Sequence, residues 1–228
     1  MTWLQSSNDF CLRLVFFATL VLISTLGKAE TNEPPVPAGL DPGGVAVALV
    51  GGGVNYTSKH LADRLARDGE GDLIAWDFVD DDNKPFALSG TGTNDALRLI
   101  EGNDVVRIIV LKERKNDPTS IGQASDFVRQ TPARVLAWPN GNPGRPDWPL
   151  LTQAARAFGN ILLIVPAPKT IPERMSNVFY AGARQRVTNR RNACLDAAVR
   201  AAKFLRNDPS LSAEQLKTNM ENWAKSRD

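Results

Sequence analysis

Few residues of this chain belong to the types that catalyse reactions or bind metals. His60 is the only histidine in the 228 residues, and one imidazole builds neither a zinc site nor a proton relay. We interpret His60 as a surface residue of a helix. Cys194 is the only cysteine after the first 30 residues. A nucleophilic cysteine needs a histidine partner, so we interpret Cys194 as a small buried residue.

Three consecutive carboxylates form the densest cluster of candidate ligands. Asp80, Asp81 and Asp82 could offer oxygens to calcium. Consecutive side chains in a turn seldom all face one ion, so we expect a solvated acidic loop and no cofactor. Calcium held by Asp80 and Asp82 is the alternative.

Three glycines, residues 51–53, follow an apolar run and invite comparison with phosphate-binding loops. The dinucleotide pattern needs a further glycine at position 56, where this chain has Tyr56. The Lys-Ser/Thr pair that follows other phosphate loops is also missing. The sequence therefore argues against a nucleotide site.

The spacing of apolar residues predicts the elements that position these side chains. Short apolar runs alternate with stretches of helical periodicity, which is typical of a mostly parallel sheet covered on both faces. Strands are predicted at residues 45–50, 105–111, 134–138 and 160–165, and weaker ones at 73–76 and 178–180. Helices are predicted at residues 61–66, 96–100, 121–128, 150–158 and 193–205, and a last one opens with the capping box of Ser212 and Gln215.

Composition indicates one globular α/β domain. The chain is 43% hydrophobic and 23% charged, with a formal net charge of +2. Because no dense basic stripe is present, we expect no nucleic-acid partner.

The N-terminal residues predict export. Arg13 precedes the apolar residues 14–26, and small residues follow at Gly27 and Ala29, so residues 1–29 are predicted to be a signal peptide. The apolar stretch is shorter than the ~20 residues of a membrane-spanning helix; an uncleaved anchor is the alternative. We expect a secreted or periplasmic protein with no membrane span after leader removal. Residues 30–43 are predicted to be a Pro-rich linker and residues 44–228 the folded domain.

Two stretches resemble the subtilase family, the subtilisin-like serine peptidases. Residues 53–57 read Gly-Val-Asn-Tyr-Thr, as in the family's segment after its acidic triad residue. Residues 75–85 read Ala-Trp-Asp-Phe-Val-Asp-Asp-Asp-Asn-Lys-Pro and match the family's Asp-rich segment almost throughout. A weaker likeness continues in order to residue 224. The resemblance implies a three-layer α/β/α fold with a mostly parallel central sheet and a truncated C-terminal part, because residues 183–193 replace several family strands and the serine loop.

The same resemblance assigns the catalytic positions. It places Gly51 at the acidic residue, Thr91 at the histidine, Arg191 at about the serine and Lys169 at the oxyanion asparagine. Gly51 has no carboxylate, Thr91 has no titratable nitrogen, and Arg191 is not a nucleophile. We therefore expect a degenerate triad without useful proteolysis.

The function implied is that of an exported pseudopeptidase, a serine-type endopeptidase by resemblance that is predicted to be inactive. We expect it to bind a peptide or protein segment as an extended strand. Its cleft is predicted to be lined by Pro139, Asn140, Gly141 and Trp138, with a core position as the alternative for Trp138. Two other hypotheses stay open: an active serine-type endopeptidase with a non-standard site, and a structural relic that partners an active peptidase.

Overall fold

The computed structural model describes residues 33–226, apart from positions 116, 118, 142–147, 169, 172–173 and 184–188. The predicted signal peptide lies outside the described residues. Among the helices of the described part, none is both long and apolar enough to cross a membrane.

A parallel sheet of six strands forms the middle layer of the described chain. The strands are almost wholly buried, as expected for parallel strands covered on both faces. Their order in the sheet is β2-β3-β1-β4-β5-β6. Along the chain they are β1 (Val45–Gly51), β2 (Trp76–Asp77), β3 (Val106–Lys112), β4 (Val135–Ala137), β5 (Leu162–Pro166) and β6 (Val178–Ala181).

Helices cover both faces of this sheet, so the predicted three-layer α/β/α class is confirmed. Alternate residues of β1 face two separate apolar cores, with Val47 and Leu49 in one and Ala46 and Ala48 in the other. The second, fifth and sixth helices pack in the first core, and the third and fourth in the second. The described helices are α1 (Lys59–Ala62), α2 (Thr91–Ile100), α3 (Ser120–Val128), α4 (Trp148–Ala157), α5 (Arg190–Asn207) and α6 (Ala213–Lys225); the predicted capping box of α6 is present.

The first helix is shorter than predicted, and the helical interpretation of Leu65 and Ala66 was wrong. The backbone there pairs with β3 instead: Ile108 N donates to Arg64 O at 2.9 Å, and Ala66 N donates to Ile108 O at 2.8 Å. Leu61, Leu65 and Ala66 are all buried. The spacing of these three apolar residues indicates only that they are buried beside the sheet. A short helix followed by an extended segment buries all three of them.

Residues 34–43, within the predicted linker, have no helix or strand and are anchored to the domain. The Tyr56 hydroxyl donates to Pro34 O at 2.9 Å, and the Arg67 guanidinium donates to Pro37 O at 2.8 Å. The Asp41 carboxylate accepts from Arg67 N at 2.9 Å and lies 2.5 Å from Arg107 Nη1. Residues 34–43 therefore have the extended backbone that proline favours, and hydrogen bonds and an ion pair hold them against the domain.

Candidate functional site

β1 brings Gly51 to the carboxyl edge of the sheet, where parallel sheets place ligand sites. Gly51 is buried, and its carbonyl accepts a hydrogen bond from Glu113 N at 2.8 Å. A Cβ atom at this glycine would lie 3.7 Å from Asn140 Nδ2. Gly51 therefore faces Asn140, which follows the neighbouring strand β4.

The glycine loop after β1 packs against the first turn of α2. A Cβ atom on Gly92 would collide with the carbonyl oxygens of Gly52 and Gly53. Beside this contact, Asn55 N donates to Thr93 Oγ1 at 2.9 Å. The glycines thus allow a helix to approach the loop closely, and the loop turns carbonyl oxygens toward that helix where a phosphate cradle would need N–H groups.

α2 positions Thr91 and Asp95 one helical turn apart. The helix begins after Gly90, whose φ of 136° is in the region that favours glycine. Thr91 is exposed, whereas Asp95 is only 4% exposed. Residues four apart lie on the same side of a helix, and along this side of α2 the exposed Thr91 hydroxyl is followed by the buried Asp95 carboxylate.

Arg191, in the first turn of α5, binds this buried carboxylate. Its Nε donates to Asp95 Oδ1 at 2.6 Å, and its Nη2 donates to Asp95 Oδ2, which is the bidentate geometry of a strong ion pair. Its Nη1 donates to Asn140 Oδ1. Asn140 therefore lies beside Gly51 and contacts Arg191, and Thr91 precedes Asp95, the ion-pair partner of Arg191, by one helical turn.

The carboxylate and the guanidinium each offset an unfavourable environment of the other. Burial raises the pKa of Asp95 above its ordinary value, and the hydrogen bonds and charge of Arg191 act in the opposite direction. A cation in the first turn of a helix opposes the helix dipole, and the Asp95 carboxylate supplies compensating negative charge. The Asp95 carboxylate and the Arg191 guanidinium therefore each have a charged partner within the protein.

An open groove runs over this pair. His60, Thr91, Asp95 and Arg191 contribute to its lining. The His60 side chain is exposed and makes no hydrogen bond or ion pair with the described residues. His60 is thus exposed, as predicted. It also lines the same groove as Thr91.

The predicted cleft residues lie mostly in the interior. Trp138, Pro139 and Gly141 are buried, and the indole N–H of Trp138 donates to Glu113 Oε2 at 3.3 Å. A Cβ atom on Gly141 would lie 2.8 Å from the Trp138 ring, so glycine is needed for this close packing. Asn140 is partly exposed and holds Arg191. The predicted oxyanion position, Lys169, lies outside the described residues.

The acidic loop is organised around a lysine. Lys112 Nζ donates to the buried Asp77 carboxylate at 2.5 Å and to Asp80 Oδ2 at 3.1 Å. Burial raises the pKa of Asp77, and Lys112 opposes that change. The Asp82 carboxylate accepts instead from Lys84 N at 2.8 Å. Asp80 and Asp82, the residues of the calcium alternative, therefore have different partners in this loop.

Sequence reasoning missed Asp95. Its neighbours Ala96 and Leu99 are buried, which places an acidic residue at the edge of the buried face of an amphipathic helix. Such a carboxylate needs a cationic partner. This local conflict was readable from the sequence, but the identity of the partner, 96 residues away in the chain, was not.

Comparisons with known proteins support the fold. No protein-family model matches the chain, and no curated protein matches it. The crystal structure of a cold adapted subtilisin-like serine proteinase matches with 14% identity and a TM-score of 0.56, covering 84% of this chain and 86% of that one. The crystal structure of a lanthipeptide protease matches with 12% identity and a TM-score of 0.52, covering 78% and 80%. The chain thus has a subtilisin-like fold; the lost triad and the shortened C-terminal part stay predictions.

Proposed function

We propose that this chain is an exported, catalytically inactive homologue of subtilisin-like peptidases that binds a peptide or protein segment. One observation carries the inactivity: Arg191, at the position assigned to the nucleophile, is bound to Asp95 and Asn140. A guanidinium held in this way neither attacks a carbonyl carbon nor accepts a proton.

Serine-type hydrolysis needs a nucleophile, a base that takes its proton and a carboxylate that orients the base. The assigned positions contain Arg191, Thr91 and Gly51, and none of these side chains performs its step. When such groups are removed together, about 10³–10⁴-fold acceleration over water survives from binding and the oxyanion hole. That remainder is too small for useful proteolysis.

One alternative is an active peptidase with a non-standard site. The observation in its favour is that His60 and Thr91 line the same groove, so an imidazole and a hydroxyl are exposed to the same solvent. No hydrogen bond joins them among the described residues, and a nucleophile–base pair is normally recognised by that bond.

A fluorophosphonate probe separates the two functions, because it labels activated hydroxyl groups. We expect no labelling of the purified protein, and Thr91→Ala and His60→Ala to leave this result unchanged. Labelling of the native protein that disappears in either variant would establish the alternative. Heat-denatured protein controls for nonspecific reaction.

Binding without cleavage is the second half of the proposal. The described sheet has β2 and β6 as its outer strands, and extended peptides can add to exposed sheet edges through main-chain hydrogen bonds. A structural relic would instead bind only a peptidase. Purification from the native source distinguishes them: retention of an active peptidase, together with a flat response to extended peptides, would favour the relic.

Export is tested by the N-terminus of the secreted chain. We expect the mature protein to begin near residue 30, after the apolar stretch and its small-residue exit. N-terminal sequencing of protein from the medium or periplasm measures this. A membrane fraction that contains the full-length chain would support the uncleaved anchor.

A further inference from the structure

One face of the outer strand β2 is incompletely covered. β2 ends the described sheet on its side. Leu73 and Ala75 are buried in the first core. Ile74, Trp76 and Phe78 alternate with them and lie at the margin of the second core, where each is only partly buried. Because parallel strands are normally covered on both faces, this face has room for a further element.

The neighbouring helix α3 adds a fourth apolar side chain to this face. The rings of Trp76 and Phe127 lie 6.0 Å apart with 35° between their planes, and Phe127 is also only partly buried. We call the surface formed by Ile74, Trp76, Phe78 and Phe127 the β2 strip. A contiguous apolar surface with polar residues around it is typical of a site that contacts another molecule.

The dimensions of the β2 strip fit one helix. Residues 74 and 78 are four positions apart, which is about 13 Å of extended chain. A helix covers this length with about nine residues. In folds with a parallel sheet, helices are the elements that cover the faces of the strands, and α3 already covers the adjacent part of this face. The space beside α3 therefore has the length and the surroundings of a helix position.

One end of the β2 strip is negatively charged. Asp72 continues the alternation on this face, Asp126 precedes Phe127 on α3, and both are exposed. Because α3 connects two parallel strands, it runs opposite to them, so these two carboxylates lie at the same end. Neither has an ion pair with a described residue. The guanidinium of Arg129 stacks on the Phe158 ring, 4.7 Å from its centroid. The uncompensated charge favours a cationic partner.

We propose that the β2 strip binds an amphipathic helix of another polypeptide, with Lys or Arg side chains at the end that meets Asp72 and Asp126. The proposal rests on the binding half of the proposed function and gives it a location and a ligand class. The apolar face of the helix packs on Ile74, Trp76 and Phe127, as amphipathic helices do in apolar grooves. The charges at one end select the direction in which the helix lies.

A labelled helical peptide of about 18 residues, long enough to form a helix, is the direct probe. It has leucine along one face, alanine and glutamine elsewhere, and lysines at one end. Fluorescence anisotropy at low salt measures its affinity for the native protein. We expect saturable binding, weakened about fivefold to tenfold when Asp72→Lys and Asp126→Lys are combined. A peptide with glutamates in place of the lysines should bind this double variant more tightly than it binds the native protein.

The matched control combines Glu101→Lys with Glu214→Lys. Both side chains are exposed and lie outside the β2 strip, so this double variant should change affinity less than about twofold. Trp76→Ala removes the central ring of the strip and should weaken binding about tenfold or more. Thermal melts confirm that all variants are folded.

Hydroxyl-radical footprinting locates the contact. The peptide should lower the oxidation of Trp76, Phe78 and Phe127. Trp223, which is partly buried on α6, should be oxidised equally with and without the peptide. Sedimentation tests a second copy of this chain as the occupant: dimers that protect the strip without any peptide would overturn the proposed partner.

The outcomes separate this inference from the proposed function. If extended peptides bind and the helical peptide does not, the β2 strip proposal fails and the binding half of the proposed function stands. If neither binds, both fail. If the helical peptide binds but the charge reversals and the footprint show no change at the strip, the proposed location is wrong.

Discussion

The contact between Arg191 and Asp95 changes what each residue of the site has to do. A partly buried guanidinium in the first turn of α5 needs an anion, and a carboxylate on the buried face of α2 needs a cation. Each residue supplies what the other needs, through two hydrogen bonds, and Asn140 occupies a third guanidinium N–H. The charged groups of Arg191 and Asp95 therefore have their hydrogen-bond partners within the protein itself.

Removal of the buried carboxylate tests this contact. We expect Asp95→Ala to lower the free energy of unfolding by about 2–4 kcal/mol, because it leaves a largely buried guanidinium without its anion. The matched control is Asp196→Ala, which breaks the more exposed bidentate pair with Arg98 and should cost less than about 1 kcal/mol. Denaturant unfolding at pH 7 measures both. Equal losses would mean that the Asp95 pair is as weak as a surface pair.

The residue scale also separates what the sequence could predict from what it could not. The expected chemistry of Gly51, Thr91 and Arg191 follows from residue type alone. Their convergence depends on three different elements, and the sequence offers no local signal for it beyond the family resemblance. Trp138 had two interpretations, a cleft residue and a core residue, and its burial agrees with the second.

At the scale of elements, the close approach of α2 to the loop after β1 fixes the geometry of the site. This approach depends on Gly92, because a side chain there would meet two backbone carbonyls. Backbone atoms cannot rotate away as a side chain can, so the helix itself would have to move. Arg191 contacts this helix, and its geometry is therefore set by the same packing.

A pair of glycine substitutions tests this packing. Gly92→Ala should destabilise the protein by about 2 kcal/mol or more through overpacking, although alanine by itself favours a helix by about 1 kcal/mol. Gly51→Ala should change stability by less than about 1 kcal/mol, because its methyl group would make only an ordinary contact with Asn140. Thermal and denaturant unfolding measure both variants. A stabilised Gly92→Ala protein would show that propensity decides here and that the contact is loose.

Element types were predictable where a long apolar run or a sustained helical period exists. β1, β3 and α5 are of this kind, and their predicted ranges lie close to the observed ones. α1 was not predictable, because residues 64–66 take backbone partners from β3. Tertiary pairing overrides local spacing in such a segment.

At the scale of the whole molecule, the extended residues 34–43 tie the start of the domain to its sheet. Asp41 is the central anchor, since it contacts Arg67, Gly43 and Arg107. Burial acts to raise the pKa of Asp41, but these hydrogen bonds and the Arg107 charge outweigh burial, and the pKa is lowered.

A lowered carboxyl pKa gives the direction of a pH dependence. The stabilisation by Asp41 is complete above the unfolded-state pKa of about 3.9 and is lost as the pH falls through the lower folded-state pKa. We expect Asp41→Asn to cost about 1 kcal/mol at pH 7 and progressively less below pH 4. Asp63→Asn, which removes only the exposed partner of Lys59, is the control and should have little effect. A cost for Asp41→Asn that grows toward low pH would contradict this sign.

The most direct test of the account is a count of the peptide bonds that the purified protein cuts. A denatured protein substrate is incubated with native protein, and mass spectrometry counts new termini over time. We expect the rate to equal that of buffer alone, and Arg191→Ala to leave it unchanged. New termini that accumulate in proportion to the concentration of native protein, and disappear in Thr91→Ala or His60→Ala, would contradict the claim that this subtilisin-like fold does not cleave peptides.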